Sequence, residues 1–294
     1  MLFVALYGTL AVSMGFLLGQ AGVFSFAHPA WFGLGAYVAG ITVVRGIAPP
    51  WLSIVLSAVL VGLTAWAIGT FLLRLRTHYL ACATFSLVFI VEILLGQWVW
   101  LTGGDEGLLS IPTLLDVKNM SADTSYYLLA SALCLTCLWF LGNLSDSRPG
   151  RAIRSLRNSG VAASSLGIDG DAYRLQAFIL TAVIAGLAGS LLCFSLRFIM
   201  PGMFGFSLLV EIMTMVVIGG PRKIWGPLLG SCTLIWLKEG VYSRFEAILP
   251  AQTAQIDPIL DGLIIIALLI FLPEGLAGVP GFFVRRWNSA RRTA

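Results

Sequence analysis

Charge is what this sequence has least of. Only 11% of its 294 residues are Asp, Glu, Lys or Arg, against 58% apolar ones, and the mean hydropathy is +0.92. That scarcity excludes an ordinary water-soluble domain, in which about a quarter of residues are charged. A G-x-x-x-x-G-K-[ST] phosphate loop is missing as well, so any nucleotide hydrolysis must occur on another chain. With two histidines and no cluster of His, Cys and carboxylates, neither a catalytic metal site nor an activated nucleophile is indicated, and an enzyme is not expected. The five cysteines, Cys82, Cys134, Cys137, Cys193 and Cys232, all sit in apolar stretches, which argues against a disulfide framework or zinc. Cys134 and Cys137 form C-x-x-C without a βαβ context and read as small helix-packing residues.

What is present is a series of long apolar runs, rich in Gly (32), with 12 Pro and 9 Trp. Spans of ~20 residues fit near 1–18, 23–44, 51–73, 79–101, 126–144, 175–199, 204–220, 225–243 and 256–272. The expected fold is an all-α polytopic membrane protein with about nine transmembrane helices in one domain, 1–294. Met1 to Leu18 lacks the basic start and small-residue cleavage site of a signal peptide and reads as a retained span. Thirteen of the 18 basic residues fall at alternate junctions: Arg74 and Arg76, the stretch Arg148 to Arg174, Arg222 and Lys223, and a basic tail at 285–294. Arg45, Lys118, Arg197, Lys238 and Arg244 remain for the opposite side. The positive-inside rule makes the richer side cytoplasmic and the 102–125 loop external.

Segments 24–40 and 204–220 align at a constant offset, Phe24 with Phe204, Phe26 with Phe206 and Gly40 with Gly220. They cross in opposite directions, as an inverted-topology repeat requires, although Gly/Phe-rich helices also resemble one another by chance. A five-plus-five duplication is expected if one span is missing upstream of Met1. Phe24, Phe26, Phe204 and Phe206 become pathway candidates through repeat position, and Trp98, Trp100, Trp225 and Trp236 read as interface anchors.

Loop 145–174, SDSRPGRAIRSLRNSGVAASSLGIDGDAYR, is built as a docking element. Ser147 or Pro149 can start a helix; Ile153 and Leu156 supply an apolar face beside Arg151, Arg154 and Arg157; Gly160 interrupts it. A second short helix, Val161 to Leu166, stops at Gly167. Small residues Ala162, Ala163, Ser164 and Ser165 admit close approach, and the arginines suit a partner's carboxylates. A loop resting on anionic lipid is the alternative.

At these residues the chain resembles the inner-membrane permeases of branched-chain amino acid ABC importers, of LivM type. The family's G-x-x-G-x-x-S-x-x-H leading to G-x-G-A-Y is similar to Gly19, Gly22, Ser25, His28, Gly33, Gly35, Ala36 and Tyr37. Its outer-loop T-G-G-x-x-G-L with I-P matches Thr102, Gly103, Gly104, Gly107, Leu108, Ile111 and Pro112. Its coupling loop resembles Gly150 to Arg154, Ala162, Ala163, Leu166 to Asp169 and Tyr173 to Leu175. Further on, Glu211, Met215 to Val217, Gly219, Gly220, Gly226, Pro227 and Gly230 fit, as do Pro273, Gly275, Leu276 and Gly278. The chain departs from the family at Asn158, Ser159 and Gly160, at Pro29, and at Pro221, Arg222 and Lys223.

The resemblance implies a type II importer-like fold with ten helices in the family, in the bacterial cytoplasmic (inner) membrane. It implies a cytoplasmic coupling loop at 145–174, with Arg151, Ile153, Arg154, Leu156, Arg157, Ala162, Ala163, Leu166 and Gly167 facing an ATPase. The implied partners are a second, LivH-like permease, two cytoplasmic ATPase subunits holding ATP and Mg, and a periplasmic substrate-binding protein; the chain itself would hold no cofactor and bind no nucleic acid. The implied cargo is a branched-chain or other hydrophobic amino acid, with urea, short amides and aromatic acids as alternatives.

Ser25, Phe26, His28, Phe204, Phe206, Glu92 and Glu211 are the candidate pathway residues. Each intramembrane carboxylate costs ~2.5–3.5 kcal/mol at mid-bilayer if ionised, so both should face protein. They read either as gating groups or as interhelical hydrogen-bonding acids. A proton- or ion-coupled carrier, with one of them titrating, is the second functional class. His28, beside Pro29, is expected to bond backbone groups freed by a helix break or to contact ligand.

Overall fold

The computed structural model describes residues 1–114 and 122–246, together with Gly262 and Leu276. Their helices run in the order α1 (Leu2–Gly19), α2 (His28–Val44), α3 (Pro50–Leu72), α4 (Thr77–Gln97), α5 (Val99–Thr102) and α6 (Ala122–Asp146), then α7 (Arg148–Asn158), α8 (Gly160–Ser165), α9 (Gly170–Leu196), α10 (Phe206–Gly219) and α11 (Gly226–Glu246). Among the described residues, six apolar segments are long enough to cross a membrane: α1, α3, α4, Thr124–Asp146 of α6, α9 and Pro201–Gly219. Helices also occupy the expected 23–44 and 225–243 segments, but α2 has only 17 residues because its first turns are replaced by an irregular stretch. The span at 256–272, the tail at 285–294, and Asp116 and Lys118 lie outside the described residues.

Burial sorts the helices into two shells. Helices α1, α2, α9 and α10 are buried over most of their length, while α3, α4 and α6 keep only a narrow inward stripe. On α3 that stripe is Ser53, Ser57, Val61, Ala65 and Gly69, and on its other faces Trp51, Val55, Val59, Leu63 and Trp66 are exposed. In water this would be an aggregation surface; in hydrocarbon it is an ordinary lipid-facing wall. Helix α9 packs on α2 and α3, and α1 packs on α10 and α11, with α1 and α9 in contact at the centre. Helix α6 packs along α1.

Small residues set the closest approach. A Cβ placed on Gly35 would lie 2.5 Å from the Cα of Gly186, and one on Gly189 would lie 2.9 Å from the carbonyl carbon of Phe32. Helices α2 and α9 therefore touch backbone to backbone, which supplies dispersion contacts where no hydrophobic force draws helices together in lipid.

The basic junctions gather at one end. The Gln20 side-chain amide donates to the carbonyl of Arg222 at 2.9 Å, Arg157 donates to the carbonyl of Gly19, and Arg74 shares a recess with Asp171. At the other end Arg45 donates to the Trp100 carbonyl (2.6 Å) and lies over its ring, while Leu108 pairs antiparallel with Ile199. Two sequence expectations need correction. Lys238, assigned to the outer side, lies within α11, where its ammonium is held by Glu211 across the helix contact. Trp236, read as an end anchor, is exposed at mid-helix.

Candidate functional site

At the basic end, the chain leaves α6 through Ser147, whose hydroxyl accepts from Gly150 N–H at 3.3 Å and starts α7. The break between α7 and α8 falls at Ser159, one residue before the Gly160 expected from sequence. Ser159 is extended, with φ −158°, and its hydroxyl accepts from Ala162 N–H at 3.3 Å, so the break is a cap rather than a glycine interruption. Gly167, at φ +80°, lies just past α8 in the left-handed region that favours glycine. Asp169 then caps α9, accepting from Asp171 and Ala172 N–H, both at 3.2 Å.

The element's two faces are divided differently from the sequence expectation. Ile153, Leu156 and Ala163 are buried within this chain, Ile153 joining the main apolar core and Leu156 lying against Gly170. The arginines bond backbone carbonyls of this chain, although Arg151 and Arg157 stay exposed and Arg154 half-buried. Arg151 donates to the carbonyl of Asp146 (2.7 Å), and Arg154 donates to that of Ser145 (2.7 Å) with a long contact to the Asp146 carboxylate (3.8 Å). Arg157 reaches the Gly19 carbonyl and packs over Gly22, whose φ of +66° makes the turn. The reason is that the last carbonyls of α6 and α1 have no intrahelical donors and carry the negative end of the helix dipole. Outward surface lies at Arg151, Arg157 and Asn158 and, on the small-residue tip, at Ala162, Ser164, Ser165, Gly167 and Leu166, the last 80% exposed.

Within the bundle, the two irregular segments that precede α2 and α10 converge on α4. Phe26 N–H donates to Thr84 Oγ1 at 3.0 Å, replacing a partner that the broken backbone lacks. Its ring meets Phe85 edge-on at 6.5 Å, Phe85 meets Phe206 at 6.0 Å, and Phe89 stacks on Phe206 at 6.4 Å. Glu92 continues that stripe. Its carboxylate lies against Gly205, where a Cβ would come to 2.5 Å of Oε1, at the start of α10. The positive end of that helix faces the acid, which helps hold it in a low-dielectric setting. Phe206, Phe89 and Phe24 are exposed and Glu92 half-buried, so this aromatic face with one carboxylate is open on the bundle's side.

Other expected pathway residues are elsewhere. Phe204 is buried, its ring edge-on to Phe32 (5.7 Å) and Tyr37 (6.0 Å), behind the open face. Ser25 is buried and accepts from Ala27 N–H at 3.4 Å. His28 is 1% exposed, and neither ring nitrogen has a hydrogen-bond partner among the described residues. It does not serve the broken backbone as expected: Pro29 has no N–H to satisfy, and Trp31 N–H is taken by the carbonyl of Ala27. Glu211 stands apart on α10, its Oε1 3.0 Å from Lys238 Nζ, with side chains 19% and 17% exposed. The neutral-acid alternative is thus replaced by an ion pair between α10 and α11.

Sequence reasoning missed Thr84, Phe85 and Phe89. A signal for them exists, since Phe85, Phe89 and Glu92 recur at helical spacing on one face of α4. The outer-loop glycines have a positional role: Gly103, Gly104 and Gly107 all have positive φ, and Leu108 and Ile111 bond Ile199 and Arg197. That clamp holds the turn Pro201–Phe204 that feeds α10.

The chain is similar in sequence to known transport permeases. The chain is 24% identical over 295 residues to the high-affinity branched-chain amino acid transport system permease protein LivM of Escherichia coli K12, covering 92% of this chain and 67% of that protein. It is 26% identical to LivH of the same organism and 27% identical to BraD of Pseudomonas aeruginosa, in each case over 93% of this chain and 92% of the relative. No solved structure matches. A family profile described as branched-chain amino acid transport system / permease component covers residues 1–273, and the chain belongs to that family of membrane permeases.

Proposed function

We propose that this chain is the membrane-spanning subunit of a binding-protein-dependent ABC importer, working in the inner membrane by ATP-driven alternating access. It forms half of a pathway for branched-chain or other hydrophobic amino acids, beside a second permease and above two ATPase subunits that hold ATP and Mg. The observation that carries the reading is the α7–α8 element, bonded to the ends of α1 and α6 and followed by the Asp169 cap of α9, with its small-residue tip, Leu166 and the exposed Arg151 and Arg157 turned outward. A rigid lever of that kind can pass a push from a motor subunit to several helices at once, which a flexible loop cannot. The five-plus-five inverted repeat is supported by reciprocal packing, α1 on α10 and α11 against α9 on α2 and α3.

The aromatic face supports the cargo class. Phe26, Phe85, Phe89 and Phe206 offer apolar area for a branched side chain, and Glu92 offers an acceptor for the ammonium of a zwitterion. A periplasmic binding protein delivers the solute to that face.

Arg154 and Arg157 hold the lever in place, so charge reversal there would confound docking with folding. Leu166→Glu tests docking cleanly. In reconstituted vesicles with all subunits, ATP-driven uptake should fall by about tenfold or more, the size expected when an interface anchor is lost, with the melting midpoint of the isolated permease unchanged. Wild-type uptake by that variant, or uptake that needs no ATPase and collapses with the proton gradient, would refute the proposal.

A further inference from the structure

At the basic end of the bundle, the end of α6 and the turn between α10 and α11 enclose an open recess of about 480 Å³. Its walls are divided by polarity. Leu138, Trp139, Ile224 and Trp225 form an apolar side, while Arg154, Arg222 and Lys223 supply three cations against one carboxylate, Asp146. Arg154 leans on Asp146 at 3.8 Å; Arg222 and Lys223 have no carboxylate partner among the described residues. Lys223 Nζ is 5.0 Å over the Trp225 ring, and the Gln20 amide fixes the turn by donating to the Arg222 carbonyl. Trp139 and Trp225 are exposed at the mouth, and the same outward side of α6 continues through Leu135 and Leu128.

We propose that this recess binds an anionic phospholipid, its phosphodiester headgroup on Arg222, Lys223 and Arg154 and its acyl chain along the exposed strip of α6. Basic pockets between helices on the positive side of a membrane protein are suited to such headgroups, and indoles at the rim sit where headgroup meets hydrocarbon. An acidic protein segment would match the cations but not the apolar trough that opens toward lipid. Because Arg154 belongs to α7, an occupying headgroup joins α6, the α10–α11 turn and the root of the docking element. The inference does not depend on which solute is carried.

The test is native mass spectrometry of the detergent-purified full-length protein titrated with phosphatidylglycerol or phosphatidylcholine. Arg222→Gln/Lys223→Gln should weaken phosphatidylglycerol retention by about fivefold per charge, from ~1 kcal/mol per basic residue near an anionic surface. Arg74→Gln/Arg76→Gln, which removes the same charge from another junction at that end, should leave retention unchanged. Inorganic phosphate should fail to displace the lipid. Equal loss in both variant pairs, unaltered retention in the first, equal retention of phosphatidylcholine, or displacement by phosphate alone would overturn the proposal.

Discussion

The crossing of α2 and α9 gives one substitution two opposite outcomes. Adding a methyl at Gly35 places it 2.5 Å from the Cα of Gly186, and at Gly189 it lies 2.9 Å from the Phe32 carbonyl carbon, against ordinary contact at 3.4–4 Å. Both obstacles are backbone, so the helices must part by up to about 1 Å, which costs about 1–3 kcal/mol in overpacking and lost contacts. Alanine's better helix propensity returns ~1 kcal/mol at most. At Gly142 of α6 an added methyl would meet nothing within 4 Å, so only the propensity gain remains there. The net loss is then ~0–2 kcal/mol, so at ~2–4 °C per kcal/mol for a chain of this size Gly35→Ala and Gly189→Ala should melt up to ~8 °C lower, and Gly142→Ala ~1–4 °C higher. A thiol-reactive fluorophore reports unfolding through the buried Cys134, Cys137 and Cys193, with all variants heated at one rate. Midpoints for Gly35→Ala and Gly189→Ala raised as at Gly142→Ala would refute backbone contact at this crossing.

Lys238→Met removes the ion-pair partner of the Glu211 carboxylate and should destabilise by about 1–3 kcal/mol, less than a fully buried pair because both partners keep some exposure. The double variant with Glu211→Gln should recover part of the loss, and a double variant melting no higher than Lys238→Met would count against the pairing. Thr84→Val removes the acceptor for Phe26 N–H and should cost about 1–3 kcal/mol, visible as faster amide exchange at residues 24–28; unchanged exchange would show that the bond does not hold that segment. Ser159→Ala removes the cap of α8 and should lower its stability by about 1 kcal/mol, read as weaker recovery of ATPase subunits in pull-down at unchanged midpoint; full recovery would remove the cap from the docking account.

The spans are legible in the sequence because lipid demands long uninterrupted apolar runs, and the basic junctions are legible because charge cannot be hidden inside them. The start of the α7–α8 element is legible because Ser147 acts through its own neighbours in sequence, and the Asp169 cap that follows it works the same way. The partners of its arginines are not, for a physical reason: a guanidinium finds whatever acceptor is nearest, and the free carbonyls at the ends of α1 and α6 come near only after packing. Glu92 and Glu211 are both lone acids in apolar text, yet one meets the start of α10 and the other a lysine. Nothing local to either residue separates them.

By itself, then, the sequence determined that the chain is helical, membrane-embedded and basic at alternate junctions, because these follow from composition and local spacing. Only the tertiary structure decided which faces meet. It turned Ile153 and Leu156 inward and left Leu166 outward, brought Phe26 and Phe206 together on α4 from distant parts of the chain, and hid Phe204 behind them. In lipid, every helix face is apolar whether it packs or not, so the pattern that sorts inside from outside in water is absent, and close packing of small residues makes the choice instead.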